Sequence, residues 1–133
     1  NIAIIGFTID GDVFGGFYSV PVMEQRKDFY DRNMFIFSFE SHGRCETPQM
    51  FAVNKRLKAG AYVCFVKNNR YGFVWFCVHG HGGFSLGNEK SRSNCYDLSD
   101  GFEGIQDTTL TGKDGDYMGP YHHCTRLIAI QLS

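Results

Sequence analysis

The sequence predicts a β-rich α+β fold in which two antiparallel β-sheets pack as a sandwich, with few short helices. Aromatic residues make up 16% of the 133 residues, and aromatic rings suit the half-buried surface of a strand. Short apolar runs alternate with turn signals, and no segment shows the periodicity of a three-turn amphipathic helix. A chain of this length is typical of a single domain, which we expect over residues 1–133.

Four segments predict how the strands connect. Residues 2–18 and residues 61–78 each contain two apolar runs around a turn signal, D-G-D in the first and N-N in the second, and each predicts a hairpin. Residues 50–53 form a short strand candidate. Residues 126–132 form a closing strand, which we expect to pair back into a sheet.

The aromatic run at residues 34–39 indicates a strand with two distinct faces. Phe35, Phe37 and Phe39 share one face by the two-residue period of a strand, and smaller side chains occupy the other. We expect the three Phe rings to form the core face.

Residues 79–121 are polar and glycine-rich and predict a long loop region. Loops of this length are usually functional or disordered. Apolar residues recur through this one, which favours an ordered segment with Cys95 and Tyr96 facing inward. Its acidic residues outnumber its basic ones, so its exposed side should suit a basic patch on a protein partner. The candidate binding residues are Asp97, Asp100 and Glu103.

The charge balance excludes bulk electrostatic attraction to nucleic acid. Lys and Arg total 13 against 14 Asp and Glu, for a net charge of −1. Local binding stays open because basic residues lie near apolar or aromatic ones at residues 67–71 and at Lys55, Arg56 and Lys58. A nucleic-acid-binding regulatory domain is therefore the alternative to a protein-binding one.

The five Cys residues are dispersed singly along the chain. An odd and dispersed count is typical of reduced thiols and predicts an intracellular protein, cytoplasmic or nuclear, without disulfides. No run approaches the roughly 20 apolar residues of a membrane helix, so we expect no membrane insertion. Cys45 lies in a polar loop and is the thiol that we expect to be most open to oxidation.

Several residues that could carry chemistry lack the pattern that it requires. His79, His81, His122, His123 and Cys124 lack the spacing of zinc ligands and are interpreted as surface histidines and a packing thiol. D-G-D at residues 114–116 lacks the later Glu of a calcium loop and is interpreted as a turn. We expect no metal and no cofactor.

Two further features have a catalytic or anion-binding interpretation beside a structural one. A Cys-dependent enzyme is a third function hypothesis, with Cys95 or Cys124 as nucleophile and one of the histidines as base. The Gly15-Gly16 pair lacks the Lys and the helix of a phosphate-binding loop. We interpret it as a β-bulge or as a close approach to the strand backbone, and we interpret Gly80, Gly82 and Gly83 in the same way.

The order and spacing of four motifs resemble the TLDc domain family. They are D-G-D-V-F-G-G-F-Y-S at residues 10–19, F-I-F-S-F at residues 35–39, G-H-G-G-F-S-L at residues 80–86 and S-R-S-N-C-Y at residues 91–96. The chain departs from the family at residues 20–22, where a Trp is usual, and at residues 128–131, where Glu-Val-Trp is typical. It resembles one TLDc domain over residues 1–133 without the family's N-terminal helical part.

The resemblance implies a two-sheet α+β sandwich with no catalytic chemistry. Family members are associated with protection against oxidative damage, and several bind the vacuolar-type proton pump. We therefore expect a non-catalytic protein-interaction domain whose partner is a protein such as this pump.

Overall fold

The computed structural model describes residues 1–66, 70, 72–115 and 119–132. Within these residues the chain forms ten strands, the short α-helix α1 (Leu98–Gly101) and a 3₁₀ helix (Lys55–Gly60). None of the helices in this part of the chain is long and apolar enough to cross a membrane. The strands are β1 (Ile2–Thr8), β2 (Val13–Tyr18), β3 (Phe29–Tyr30), β4 (Phe35–Glu40), β5 (Gln49–Ala52), β6 (Ala61–Phe65), β7 (Val74–Val78), β8 (Gly83–Leu86), β9 (Cys95–Tyr96) and β10 (Cys124–Gln131).

The strands described here form two antiparallel five-stranded sheets. The first sheet has the order β10-β1-β2-β4-β5, and the second has the order β3-β6-β7-β8-β9. Side chains from both sheets fill one core, so the predicted sandwich is confirmed. Both predicted hairpins are present as β1–β2 and β6–β7, and the closing strand pairs with β1. The N-N turn signal of the second hairpin lies outside the described residues.

The turn between β1 and β2 is closed by its own polar groups. Thr8 N donates to the Asp12 carbonyl at 2.9 Å, and Asp12 N donates to Thr8 Oγ1 at 3.0 Å. Gly11 has a φ of +89°, a conformation that costs a glycine little. The D-G-D signal therefore acts through a hydrogen-bonded turn and sets the register of the hairpin.

At the Gly15-Gly16 pair, aromatic rings pack closely against the backbone of β2 on both faces of the sheet. A Cβ on Gly16 would lie 2.4 Å from the Phe76 ring in the core, and a Cβ on Gly15 would lie 2.9 Å from the Phe37 ring outside it. The interpretation of Gly15-Gly16 as a close approach is therefore confirmed. The irregularity in the β2–β4 pairing falls one step earlier, between Val13 and Phe14.

The Phe rings of β4 point away from the core, so the prediction that they form the core face is wrong. Ile36 is fully buried between the sheets, whereas Phe39 is 44% exposed and Phe35 is half-buried. Strand alternation separates the two faces but does not say which one meets the second sheet. Phe37 is buried for another reason, because its ring packs beside Phe35 and Phe39 and lies over Gly15.

Residues 79–121 contain several short elements instead of one long loop. β8, β9 and α1 all lie in this region, and β8 and β9 complete the second sheet. Cys95 faces the core as expected, but Tyr96 does not. Successive strand residues point to opposite faces, so Tyr96 lies on the outside, with its hydroxyl 3.7 Å from Cys77 Sγ.

We predict that Phe76→Ala lowers the free energy of unfolding by about 3–5 kcal/mol. The Phe76 ring is fully buried and stacks on Phe84 with a centroid distance of 5.4 Å. Phe39→Ala is the matched control on the outer face and should cost less than about 1 kcal/mol. Urea unfolding of the two variants measures the difference, and similar losses would contradict this assignment of the faces.

Candidate functional site

Three carboxylates from separate segments meet on the surface beside β9 and α1. Asp97 lies between these two elements, and Asp107 and Asp114 follow α1 in the chain. One carboxylate oxygen from each residue lies within 4.8 Å of those of the other two. The negative charge of Asp100 in α1 also contributes to raising the pKa of the Asp97 carboxyl group. We call Asp97, Asp100, Asp107 and Asp114 the acidic surface.

Hydrogen bonds and a close backbone contact hold these carboxylates in place. Asp97 N donates to Asp114 Oδ1 at 3.3 Å, and Ser99 donates to Asp107 Oδ1 from both its N and its Oγ at 2.8 Å. Asp97 itself has a left-handed φ of +46°, which is uncommon outside glycine. A Cβ on Gly82 would lie 1.9 Å from the Asp97 carbonyl oxygen, so Gly82 lets this backbone approach β8.

The acidic surface carries negative charge that few cations balance. Partial burial, followed by repulsion from Asp114, Asp107 and Asp100, raises the pKa of Asp97 above its usual value. Asp100 contacts His81 Nδ1 at 2.7 Å. In the described ranges, the other three carboxylates of the surface form no ion pair. The four groups therefore repel one another, and a bound cation would relieve that repulsion.

The structure places the sequence-predicted binding residues in two adjoining groups. Asp97 and Asp100 belong to the acidic surface. Glu103 lies beside the 3₁₀ helix and accepts a hydrogen bond from Lys55 N at 3.2 Å. Arg56 and Lys58 follow on the same helix. The second basic segment falls at residues 67–71, of which only Arg70 is described. Asp107 was signalled only by the acidic composition of residues 79–121, and Asp114 was considered in the D-G-D motif but interpreted as part of a turn.

A shallow cavity of about 270 Å³ opens beside Asp97 and Asp114. Its other lining residues are Tyr96, Gly115 and Gly119. Carboxylate oxygens are the ligands that Ca²⁺ and Mg²⁺ prefer, and Ca²⁺ takes six to eight of them. Three carboxylates therefore offer a partial ligand set for such an ion. The D-G-D motif contributes Asp114 to this group, and its last residue lies outside the described residues.

Cys95 and His122 are in contact, but inside the core. His122 is 2% exposed, so the interpretation of this residue as a surface histidine is wrong. Its Nε2 donates to the Ser85 carbonyl at 2.7 Å, which leaves Nδ1 facing the Cys95 Sγ at 3.8 Å. Burial lowers the pKa of His122 to about 4 and raises that of the Cys95 thiol. Both groups are therefore neutral near pH 7, without the thiolate that a Cys nucleophile requires.

In the part of the chain that the structure describes, the other candidate zinc ligands do not form a metal-holding group with this pair. His79 is exposed, and His81 contacts Asp100. Cys124 is buried, and burial raises its pKa to about 11. Among the described residues, the acidic surface contains the one group of three or more side chains placed to hold a metal ion.

An ion pair between the buried carboxylate of Asp12 and the partly exposed guanidinium of Arg44 ties the loop after α1 to the first sheet. Asp12 is 2% exposed and pairs with the guanidinium of Arg44, while His42 Nδ1 lies 2.8 Å from the same carboxylate oxygen. Arg44 also donates to the carbonyls of Thr109 and Leu110, at 2.9 and 3.0 Å. These bonds fix the segment between Asp107 and Asp114, and so help to position the acidic surface.

The five Cys residues carry free thiols with different exposure. Cys45 is half-buried, with its Sγ 3.4 Å from Ser41 Oγ, and the other four are buried. Burial raises the pKa of both Cys64 and Cys77 to about 11. Oxidants and alkylating agents react with accessible thiolates. The four buried thiols are therefore protected both by their lack of solvent access and by their raised pKa.

No protein-family model matches this chain, and neither a curated protein nor a solved structure resembles it significantly. The candidate site is therefore defined by its own geometry and charge.

We predict that the protein loses stability on mild acidification because His122 is held neutral. Above about pH 6.5 the ring is neutral in both the folded and the unfolded chain. Between pH 6.5 and about 4 the unfolded chain takes up the proton first, so the free energy of unfolding falls by about 1.4 kcal/mol per pH unit. His122→Asn removes this titration. Urea unfolding at pH 7 and pH 4.5 should show a smaller loss in the variant, and equal losses would contradict the assignment.

We predict that alkylation near neutral pH modifies Cys45 before the other thiols. Iodoacetamide labelling of the native protein, followed by peptide mass spectrometry, gives the rate at each Cys. Cys45→Ser should abolish the fast phase and leave the four slow thiols unchanged. Labelling of Cys64 or Cys77 at the rate of Cys45 would show that the second sheet opens more readily than its packing implies.

Proposed function

We propose that this chain is a non-catalytic protein-binding domain of the TLDc type, and that its acidic surface recognises a basic segment of the partner. The observation that carries the proposal is the convergence of Asp97, Asp107 and Asp114 within 4.8 Å without an ion pair in the described residues. Lys or Arg side chains of a partner would replace mutual repulsion with attraction.

The charge of this surface also selects the class of partner. A cluster of carboxylates repels the phosphate backbone of nucleic acid, whereas it speeds the encounter with a positively charged protein. The neighbouring basic residues Lys55 and Arg56 share their surface with Glu103, which weakens their attraction for phosphate. The geometry therefore favours a protein partner over the nucleic-acid alternative.

The resemblance to TLDc domains supports the remaining parts of the proposal. The two-sheet sandwich agrees with the fold that the resemblance implies, and the neutral, buried Cys95–His122 pair offers no activated nucleophile. The vacuolar-type proton pump is the first partner to test. An intracellular location and a role in protection against oxidative damage, with Cys45 as the redox-sensitive thiol, belong to the same proposal.

We predict that reversing the charge of the predicted acidic residues abolishes partner binding. In the variant Asp97→Lys, Asp100→Lys, Glu103→Lys, the net charge changes from −1 to +5, since each reversal adds two charges. The test compares proteins recovered from lysate by the wild type and by this variant, with and without nuclease. Recovered partners should present basic surfaces, survive nuclease treatment and be lost with the variant.

Two matched variants control for charge and for the basic neighbours. Glu24→Lys, Glu46→Lys, Glu89→Lys makes the same change in net charge at exposed positions elsewhere and should keep the partner. Lys55→Ala, Arg56→Ala, Lys58→Ala should also keep it. If nuclease or this last variant removes the partners while the acidic variant retains them, the nucleic-acid alternative replaces the proposal.

A further inference from the structure

The outer face of the first sheet is apolar across all five strands. Strand pairing aligns two complete cross-strand rows on the side away from the core. One row is Ile130, Ala3, Phe17, Phe35 and Ala52, and the other is Ile128, Ile5, Gly15, Phe37 and Met50. A third, shorter row runs from Arg126 through Phe7 and Val13 to Glu40, and Arg126 lies over the Phe7 ring at 5.8 Å. We call these three rows the outer apolar face.

This pattern differs from that of a sheet with one face in water. Such a sheet alternates apolar residues toward the core with polar residues toward solvent. Here the ten positions of the two complete rows are all apolar or glycine, and the charged side chains Arg126 and Glu40 lie at the two ends of the third. The rings pack into a continuous layer, with centroids of Phe17 and Phe35 4.8 Å apart. Among the large side chains of the two rows, those on the edge strands are the most exposed, with Met50 at 64% and Ile130 at 40%.

The size of the outer apolar face fits a weak, reversible dimer. Its 14 positions lie about 4.8 Å apart across the strands and about 6.6 Å apart along them, and they cover roughly 440 Å² in projection. Two copies packed face to face would bury about 900 Å² in projection, which is close to the lower limit of about 1,000 Å² for a specific interface. A contiguous apolar patch of this size lies within the roughly 300–600 Å² of the largest patch on a typical monomer, and such a patch is often functional.

We propose that the outer apolar face binds the same face of a second copy of this chain. A two-fold axis along β2 would place β5 of each copy against β10 of the other, so that Met50 packs on Ile128 and Ile130 of the second copy. Side chains of the two faces would interdigitate as they do between packed sheets. The acidic surface lies beside β9 and α1, off this face, so each copy in the dimer would keep its own. The proposal does not rest on the proposed function.

Sedimentation equilibrium from about 1 µM to about 500 µM tests the proposal, together with two matched substitutions. The wild type should form a reversible dimer of twice the 15.1 kDa chain mass. Met50→Lys buries an ammonium group in the interface and should weaken dimerisation at least about tenfold. Met23→Lys makes the same change at a methionine that is 80% exposed and outside the outer apolar face, and it should leave dimerisation unchanged.

Hydroxyl-radical footprinting of the wild type gives a second readout that needs no variant. Oxidation of Met50 should slow as concentration rises through the dimer transition, while oxidation of Met23 stays constant. A monomer over the whole range, with Met50 oxidised as readily as Met23, would overturn the proposal and leave the face to a different protein. A dimer that Met50→Lys does not weaken would also overturn it, because such a dimer would use another surface.

Discussion

The fold depends on one contact between the sheets, where the Phe76 ring of β7 rests on the glycine backbone of β2. A side chain at Gly16 would collide with this ring, so the missing Cβ sets how closely the sheets approach. Phe76 stacks on Phe84, and Phe84 meets Phe14 edge to face at 5.2 Å. Aromatic pairs of these geometries add to the free energy of burial itself. The core is therefore a connected set of rings spanning both sheets.

Two buried polar side chains have specific partners that constrain the loops. The His122 ring lies edge-on to Phe14 at 5.3 Å and bonds to the Ser85 carbonyl, which joins the segment before β10 to β8. Asp12 and Arg44 join the turn between β1 and β2 to the segment after α1 in a similar way. An unpaired buried charge costs several kcal/mol, so these partners specify where each loop lies. The acidic surface owes its position to such contacts.

The two sheets present different outer faces. Tyr62, Cys77 and Tyr96 lie on the outside of the second sheet, where hydroxyl and thiol groups interact. The outside of the first sheet carries rings and aliphatic side chains, with Arg126 and Glu40 at the ends of one row. Apolar side chains contribute no hydrophobic free energy while they face water. Burying them in an interface is favourable because their apolar surface is then removed from water. The first sheet thus has the composition of a sheet covered on both faces.

Much of the architecture was predictable from the sequence because its causes are local. Two apolar runs around the D-G-D turn predicted the β1–β2 hairpin, and apolar runs likewise identified β6, β7 and β10 as strands. β8 and β9 were missed because glycines and polar residues interrupt their apolar pattern. Their place in the second sheet comes from pairing with β7 and from close approaches at Gly82 and Gly83, which are tertiary contacts.

The sequence by itself determined the fold class, most of the longer strand-forming segments and the acidic character of residues 79–121. It separated the two faces of β4 but could not orient them, since period-two alternation is the same whichever face is buried. Only the tertiary structure decided that Ile36 enters the core and that Phe37 covers Gly15 outside it. Likewise, only packing brought Asp97, Asp107 and Asp114 together and buried His122, because these residues are distant in sequence and chain folding alone sets their separations.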